Sequence, residues 1–375
     1  MRNKQKTDKY TLYGAEFSLY SGKARAYLDY KNIPYDEILS TLKIYKKIII
    51  PHTGVRFIPV VKTPSGDYLQ DTSHIIDTLE NEFPQQSVYP DTPKQKLVSL
   101  LLELYGDEWL LIPAMHYRWN HDNFPFIYQQ FGNIINPKFP AFLRAFIGKK
   151  IGNRFKDIVP GLGITDKTIP AIENWYENRF LAEFDQHLQR YPYLLGSVPS
   201  IADFGFIGPL YAHLYRDPYP GSLMKTIAPH VANWVERMRK GHHEPGNFIE
   251  GDSIPETLKG ILNDQFQHQW PVLEETGQRL SLWYEQQNDK SQPLEIPRRL
   301  GTHDFNLGGV NEQRLVLPYS LWKMQRPLDY YQSLNSDEKA EVDPFLKSLG
   351  IYKAMQFKLK YPIVRINNRF MLAPT

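Results

Sequence analysis

The stretch that decides the fold covers residues 10–28 and reads YTLYGAEFSLYSGKARAYL. Its first eight residues form a short run rich in β-formers, which predicts a strand. From Ala24 onward, apolar residues recur at i, i+3 and i+4, the spacing of one helical face. Ser18 or Ser21 is suited to cap that helix. A strand that passes directly into a helix indicates the start of an α/β domain.

The elements that follow complete this small domain by about residue 88. Short strands are predicted at Tyr35–Leu39 and at Phe57–Lys62, the second of which contains a proline. Asp71 begins a capped helix. The lysine-rich residues 40–56 show no clear pattern, so we expect an irregular segment there. The order is therefore β-α-β, an irregular segment, and β-β-α.

The rest of the chain divides into two further parts. Long helical patterns dominate from about Pro93, with shorter helices and loops expected in the proline-broken segment 120–168. After residue 250, helical patterns alternate with segments rich in glycine, proline and β-formers. We predict domains at 1–88, 93–248 and 250–375. The long helices are expected at Lys94–Trp119, Ile169–Gln189, Ser200–Tyr215, His230–Lys240, Asp264–Gln287 and Ser336–Leu349, and a strand at Tyr361–Phe370.

The composition excludes several kinds of chemistry. The 375 residues include no cysteine, so the chain cannot form a disulfide, a thiolate metal site or an enzyme thiol nucleophile. His116 and His121 are five positions apart, which is the wrong spacing for one helical face, and His242 and His243 are adjacent. We therefore expect no metal site.

Charge and hydropathy bear on the compartment and the partners. The first nine residues are polar, unlike a secretory signal. The most apolar stretch, Leu97–Met115, is interrupted by three acidic residues, which favours an amphipathic helix over a membrane span. A net charge of +3 over the whole chain is too small to indicate nucleic-acid binding. We expect a cytoplasmic protein without a membrane span or a nucleic-acid partner.

Four features in order carry a resemblance to a known family. They are Ser18 between the first strand and helix, Phe57-Ile58-Pro59-Val60, the helix start Asp71-Thr72, and the segment LGSVPSIADF at 195–204. Over residues 10–245 this set resembles the glutathione transferase superfamily, with spacing closest to its omega-, zeta- and theta-like branches. The resemblance implies a thioredoxin-like α/β N-terminal domain followed by an all-α C-terminal domain. Residues 250–375 would then be an additional α+β extension.

The resemblance implies glutathione as co-substrate and assigns roles to five residues. The hydroxyl of Ser18 would donate to the glutathione sulfur and hold it as thiolate. Pro59 would follow a cis peptide bond, so that the backbone of Ile58 meets the cysteinyl part of the ligand. Asp71 would meet the amino group, and Thr72 the γ-glutamyl carboxylate.

Two assignments stay open. Tyr20, in the same loop as Ser18, and Tyr13, at the end of the first strand, are alternatives for activating the sulfur. Several basic residues of the segment 40–56 are candidates for the glycyl carboxylate of glutathione, with Lys47 as the first choice. They are Lys46, Lys47, His52 and Arg56.

The helical domain supplies a structural marker and a candidate pocket. Ser200 and Asp203 have the spacing of an N-capping box, which is a structural feature. In the family, the hydrophobic second substrate lies against the long first helix of this domain. Tyr105 and Trp109 share one face of that helix here. They either line a second-substrate pocket or pack between domains.

The leading hypothesis is a homodimeric glutathione transferase that attacks an electrophilic, apolar small molecule. Conjugation is the default reaction, and ether cleavage, dehalogenation and isomerisation use the same thiolate. The alternative is a non-catalytic binding or scaffold protein on this fold. The extension would cover the cleft or build the dimer contact. Its basic and aromatic residues would form either an anion-binding surface or ordinary solvated faces: Arg314, Trp322, Arg326, Tyr330, Arg365 and Arg369.

Overall fold

The computed structural model describes residues 9–121, 123–241 and 244–374. Residues 1–8, which include most of the polar N-terminus, lie outside this part of the chain, as does the His242-His243 pair. In the described part, no helix combines the length and the apolar character needed to cross a bilayer.

The N-terminal domain contains a four-stranded mixed sheet in the order β2-β1-β3-β4. Strands β1 and β2 are parallel, whereas β3 pairs antiparallel with both β1 and β4. The peptide bond between Ile58 and Pro59, just before β3, is cis. This is the thioredoxin-like arrangement that the sequence predicts. The elements are β1 (Tyr10–Gly14), α1 (Leu19–Tyr30), β2 (Tyr35–Leu39), α2 (Leu42–Ile44), α3 (Ile50–Thr53), β3 (Val60–Lys62), β4 (Tyr68–Gln70) and α4 (Thr72–Glu82).

The segment 40–56, expected to be irregular, is helical. A π-helical stretch at Tyr45–Ile49 joins α2 to α3, and Gly54, in the left-handed conformation with φ of 72°, ends the helix. Pro51 lacks an N–H and crowds the turn before it, and the wider π turn accommodates this defect. Ile49 is buried against the sheet, which ties the helix down. The proline and the lysines hide the helical pattern in the sequence.

The long helices predicted for the helical domain are confirmed close to their predicted limits, except that one of them is divided. The helix expected at 94–119 is two helices, α5 and α6, separated at Trp109-Leu110. Pro113 explains the break, because its ring would collide with the carbonyl four residues earlier. The elements are α5 (Pro93–Glu108), α6 (Leu111–Asn120), α7 (Phe124–Ile135), α8 (Ala141–Lys156), α9 (Ile169–Trp175), α10 (Leu181–Leu188), α11 (Ile201–Ala212), α12 (Pro218–Ile227) and α13 (Pro229–Arg239).

The described residues of the extension, 250–374, form two small β-sheets and four α-helices. The strand expected at Tyr361–Phe370 is a hairpin, because Asn367 and Asn368 adopt positive φ and reverse the chain. The helix at 319–333 lies in a region where the sequence pattern predicts no clear element. The elements are α14 (Lys259–Asp264), α15 (Trp270–Glu285), β5 (Leu294–Glu295), β6 (Thr302–Leu307), β7 (Val310–Leu315), α16 (Tyr319–Ser333), α17 (Ser336–Ser348), β8 (Ile363–Ile366) and β9 (Arg369–Leu372).

A buried ion cluster joins all three parts of the chain. Lys23 of α1 donates to Glu103 Oε1 and Asp107 Oδ2 of α5, both at 2.6 Å. Lys323 of α16 donates to the same Asp107 oxygen at 2.6 Å. Arg326 reaches Glu103 Oε2 at 3.3 Å. The prediction of an amphipathic α5 is therefore wrong, because Glu103 and Asp107 are buried among cations from other elements rather than exposed to solvent.

Removing one cation from this cluster tests how strongly it holds the extension. We expect Lys323→Met to lower the free energy of unfolding by about 3–5 kcal/mol, because it leaves a buried carboxylate short of a partner. The control is Lys360→Met, which removes an exposed ion pair with Glu285 and should leave the free energy of unfolding nearly unchanged. Urea unfolding measures both. Equal stability of the two variants would contradict the structural role of the cluster.

Candidate functional site

A cavity of about 640 Å³ lies between the N-terminal domain and the extension. None of the described residues at 93–248 lines it. The N-terminal domain contributes Tyr20, Ile50, Gly54, Val55, Arg56, Phe57, Ile58, Pro59, Gln70, Asp71 and Thr72. The extension contributes Glu295, Ile296, Pro297, Arg298, Pro318, Tyr319, Asn368, Arg369 and Phe370.

The three hydroxyls considered for sulfur activation occupy different places. Tyr20, in the first turn of α1, lines the cavity. Ser18 is the N-cap of α1, where its Oγ accepts the Ser21 N–H at 3.3 Å, and it is not among the cavity residues. Tyr13 is buried on the sheet and stacks on Tyr68 with ring centroids 6.4 Å apart. The cavity therefore meets Tyr20 and neither of the other two.

The cis peptide and the start of α4 form one wall of the cavity. Ile58 and Pro59 both line it, next to Asp71 and Thr72. Asp71 adopts φ of 75° and caps α4, with Oδ1 accepting the Ser73 N–H at 3.1 Å. This positive φ turns the chain sharply between β4 and α4, which places residues 71 and 72 at the cavity.

Two hydroxyl groups at this corner of the cavity differ in their hydrogen bonding. Tyr319 of the extension donates to Asp71 Oδ2 at 2.8 Å. Although burial alone raises the pKa of Asp71, Lys323, Tyr319 and Arg365 together hold that pKa below its ordinary value, so the carboxylate stays ionised. The Thr72 Oγ1 atom, by contrast, is buried and has no hydrogen-bond partner among the described residues. A buried hydroxyl without a partner, on a cavity wall, is suited to a polar ligand.

Three guanidinium groups, those of Arg56, Arg298 and Arg369, line the cavity. Arg56 and Arg298 line it, and neither has a carboxylate within ion-pair distance in the described part of the chain. Arg298 lies over the ring of Phe57, 4.9 Å from its centroid. Arg369 is paired with Glu295 at 2.7 Å. Lys47, the first choice for the glycyl carboxylate, is exposed and is not among the cavity residues, whereas Arg56 is.

Carboxyl groups surround Tyr20 on its interior side. The pKa of Tyr20 is well above its ordinary value, first because of burial and then because Glu108, Asp107 and Asp71 face it. Burial and the neighbouring Asp107 raise the pKa of Glu108 from 4.5 to about 8. Glu108 is therefore largely protonated at neutral pH.

Tyr105 and Trp109 lie in the core and not at this cavity. Tyr105 is fully buried and donates to Asp264 Oδ2 at 2.7 Å. Trp109 is also buried, and Arg314 of β7 lies over its ring at 5.5 Å. The positions fit the packing alternative that the sequence left open.

Two further motifs lie within the helical domain. Ser200 and Asp203 form a capping box at the start of α11, with the Ser200 N–H donating to Asp203 Oδ2 at 2.9 Å.

The spacing argument against His116 and His121 is wrong, because α6 ends before His121 and brings the two rings together. Their Nε2 atoms lie 3.0 Å and 3.3 Å from the same oxygen of Glu173. The three residues therefore bring together a set of donor atoms that could hold a metal ion, which the sequence spacing did not predict.

For six extension residues the sequence left open an anion-binding surface or ordinary solvated faces, and the structure places them in different surroundings. Arg314 is buried, and Arg326 belongs to the ion cluster. Arg365 donates to Gln70 and Asn368, and only Arg369 lines the cavity. The cavity residues that the sequence missed, chiefly Tyr319, Arg298 and Phe370, lie some 230–300 positions from Asp71 and follow no local motif.

The family comparisons concern the two domains. Residues 12–87 match the model "Glutathione S-transferase, N-terminal domain" and residues 152–240 match "Glutathione S-transferase, C-terminal domain". No curated protein sequence matches the chain.

Solved structures that align with this chain include the following three proteins. A glutathione S-transferase from Rhodospirillum rubrum is 15% identical, covering 66% of this chain and 96% of its own, with a TM-score of 0.40. A GST-like protein from Pseudomonas syringae is 19% identical over 63% and 68%, with a TM-score of 0.43. The beta-etherase LigF from Sphingobium sp. is 15% identical over 61% and 94%, also at 0.43. The assignment rests on the two domain models together with the fold: the chain carries the N- and C-terminal domains of the glutathione S-transferase superfamily, followed by a C-terminal extension.

Proposed function

We propose that the chain is a glutathione-dependent transferase and that glutathione binds in the cavity between the N-terminal domain and the extension. The observation that carries the proposal is the unpartnered, buried hydroxyl of Thr72 beside the cis Ile58–Pro59 peptide. A strand-like edge and a polar corner on one cavity wall suit a short peptide ligand with charged ends.

Each charged end of glutathione has a counterpart in the cavity. The γ-glutamyl carboxylate accepts from Thr72 Oγ1 at the N-terminus of α4, where the helix dipole favours an anion. The ammonium group is attracted to Asp71, which is ionised. Arg56, which has no ion-pair partner among the described residues, takes the glycyl carboxylate in a charge-assisted contact. This assignment replaces Lys47 by Arg56.

Tyr20 is the better candidate for sulfur activation, because it lines the cavity and Ser18 does not. The phenol keeps its proton at neutral pH, since its pKa is well above the ordinary value. It therefore donates to the thiolate and lowers the pKa of the ligand thiol.

The reaction is then displacement at an electrophilic carbon. The thiolate sulfur forms a bond to that carbon, the bond to the leaving group breaks, and the leaving group departs with the electron pair. The thiol proton is released to solvent when the thiolate forms. Apolar residues of both walls, among them Phe57, Ile296 and Phe370, offer a surface for an apolar second substrate.

Thr72→Val tests the ligand site, because it removes the hydroxyl while keeping the shape of the side chain. We expect the Kd for glutathione to rise about tenfold or more, as for a lost hydrogen bond to a charged group. The matched control is Thr78→Val on the same helix, where the hydroxyl donates to the His74 carbonyl at 2.8 Å away from the cavity. Isothermal titration calorimetry measures all three proteins. If the unchanged protein does not bind glutathione, the transferase proposal fails and the non-catalytic alternative stands.

Tyr20→Phe and Ser18→Ala separate the two activating hydroxyls. We expect Tyr20→Phe to lower kcat/KM with glutathione and an activated aryl halide by about 100-fold, the usual effect of removing one hydrogen-bond donor to a developing or stabilised anion. Ser18→Ala loses a helix cap, which costs about 1 kcal/mol of stability, but should retain its turnover. The opposite pattern would assign activation to Ser18.

The raised pKa of Glu108 predicts a pH-dependent stability. A carboxyl with a folded-state pKa above its unfolded value destabilises the folded state as it ionises, so this penalty is absent below pH 4.5, grows up to about pH 8 and is constant above it. Glu108→Gln should therefore match the parent protein near pH 4.5 and be more stable by about 2–4 kcal/mol at pH 8.5. Urea unfolding at both pH values checks this, with exposed Glu256→Gln as control. A stability difference that does not grow with pH would argue against a neutral Glu108.

A further inference from the structure

The α7–α8 hairpin has an unusual charge distribution. Residues 123–156 contain six cationic side chains and no aspartate or glutamate. Most of this segment precedes residue 152, where the C-terminal domain match begins. Its cations are Lys138, Arg144, Lys149, Lys150, Arg154 and Lys156.

One face of α8 exposes large apolar side chains to solvent. Phe142 and Phe146 are 76% and 74% exposed, the highest values among the large hydrophobic residues that the structure describes. Lys149 and Lys150 follow at i+7 and i+8 from Phe142, so the two rings and the two ammonium groups share one side of the helix. Nothing in the described chain packs on this face.

The opposite face of α8 is closely packed and keeps the exposed face in place. A Cβ added at Gly148 would lie 1.7 Å from the Tyr128 carbonyl oxygen, and one at Gly132 would lie 2.1 Å from that of Arg144. The two helices therefore approach each other through glycines, and larger residues would force them apart. The hairpin cannot rotate α8 to bury its phenylalanines without losing this contact.

Among the described residues, the cations of the hairpin have no acidic partners within ion-pair distance. Arg144 donates to Asn133 Oδ1 at 2.7 Å, and Lys156 lies over the ring of Phe124. This surface therefore carries positive charge that no described carboxylate neutralises, next to exposed aromatic rings.

We propose that the α7–α8 hairpin docks the protein on an anionic lipid surface. Phe142 and Phe146 insert at the boundary between head groups and acyl chains, and Lys149 and Lys150 lie level with the lipid phosphates. A bilayer suits this face better than a folded partner, because exposed rings on a convex helix need no complementary groove in a lipid. In this arrangement the protein lies on the membrane and does not span it, which agrees with the lack of a spanning helix in the described residues.

Vesicle sedimentation tests the proposal with the full-length protein. We expect binding to vesicles of phosphatidylcholine with phosphatidylserine, little binding to phosphatidylcholine alone, and weaker binding at high salt. Equal binding to the two kinds of vesicle, or binding to neither, would overturn it.

Variants of the exposed face show whether its rings and cations make the lipid contact. Phe142→Ser with Phe146→Ser, and separately Lys149→Gln with Lys150→Gln, should each lower the partition coefficient about tenfold or more. The control pair, Leu282→Ser with Lys358→Gln, changes an exposed leucine and an exposed lysine elsewhere and should bind like the parent. If both variant pairs bind vesicles as well as the parent protein does, this face of α8 does not make the lipid contact and the proposal is wrong.

Two outcomes would assign the face to another partner. Self-association without lipid, abolished by the phenylalanine changes, would identify a second copy of the chain as the occupant. Tight binding of a nucleic acid without vesicle binding would identify a polyanion instead. Both overturn the lipid proposal. Glutathione binding is measured at a separate cavity, so the two proposals fail independently.

Discussion

The burial of Glu103 and Asp107 on α5 is the constraint on which the arrangement of the whole chain depends. Two adjacent carboxylates in the interior are strongly unfavourable unless cations and hydrogen bonds surround them. α1 of the N-terminal domain supplies one cation, Lys23, and α16 of the extension supplies Lys323 and Arg326. The helical domain thus carries the negative charge, and the parts on either side of it in the sequence carry the positive charge. Each part needs the others to keep its own buried charges paired.

The position of the cavity follows from that arrangement. Once Lys323 is fixed on Asp107, the first residue of α16, Tyr319, lies one turn earlier and reaches Asp71 at the start of α4. The β8–β9 hairpin is anchored on the same domain, since Asn368 donates to the Thr53 carbonyl at 3.0 Å. The extension therefore forms a wall opposite the cis peptide of Ile58 and Pro59. The cavity of the N-terminal domain is enclosed by residues that a two-domain transferase does not have.

Features that depend on neighbouring residues can be predicted from the sequence, whereas features that depend on contacts between distant residues cannot. The strand–helix alternation, the capping Asp71 and the Ser200–Asp203 box are local patterns, and all are present. The π turn before Pro51 and the break before Pro113 do not follow from apolar periodicity, because a proline changes the backbone without changing that pattern. Glu103 and Asp107 have the spacing of a solvent face, and only partners about 80 and 220 residues away show that they are buried. The extension's share of the cavity has no sequence motif at all.

The surroundings of each hydroxyl, rather than its residue type, also determine whether it can donate to a ligand sulfur in the proposed site. Ser18 has the expected place in the motif, yet its side chain serves the helix by accepting the Ser21 N–H. Tyr20, two residues later, extends to the cavity, and the carboxyl groups behind it keep its proton in place. Burial and the neighbouring Asp107 also raise the pKa of Glu108, so the interior side of Tyr20 carries less negative charge than its three carboxyl groups could supply. The chain has no cysteine, so in the proposed reaction the sulfur comes from glutathione, and Tyr20 is the hydroxyl that the cavity offers to hold it as thiolate.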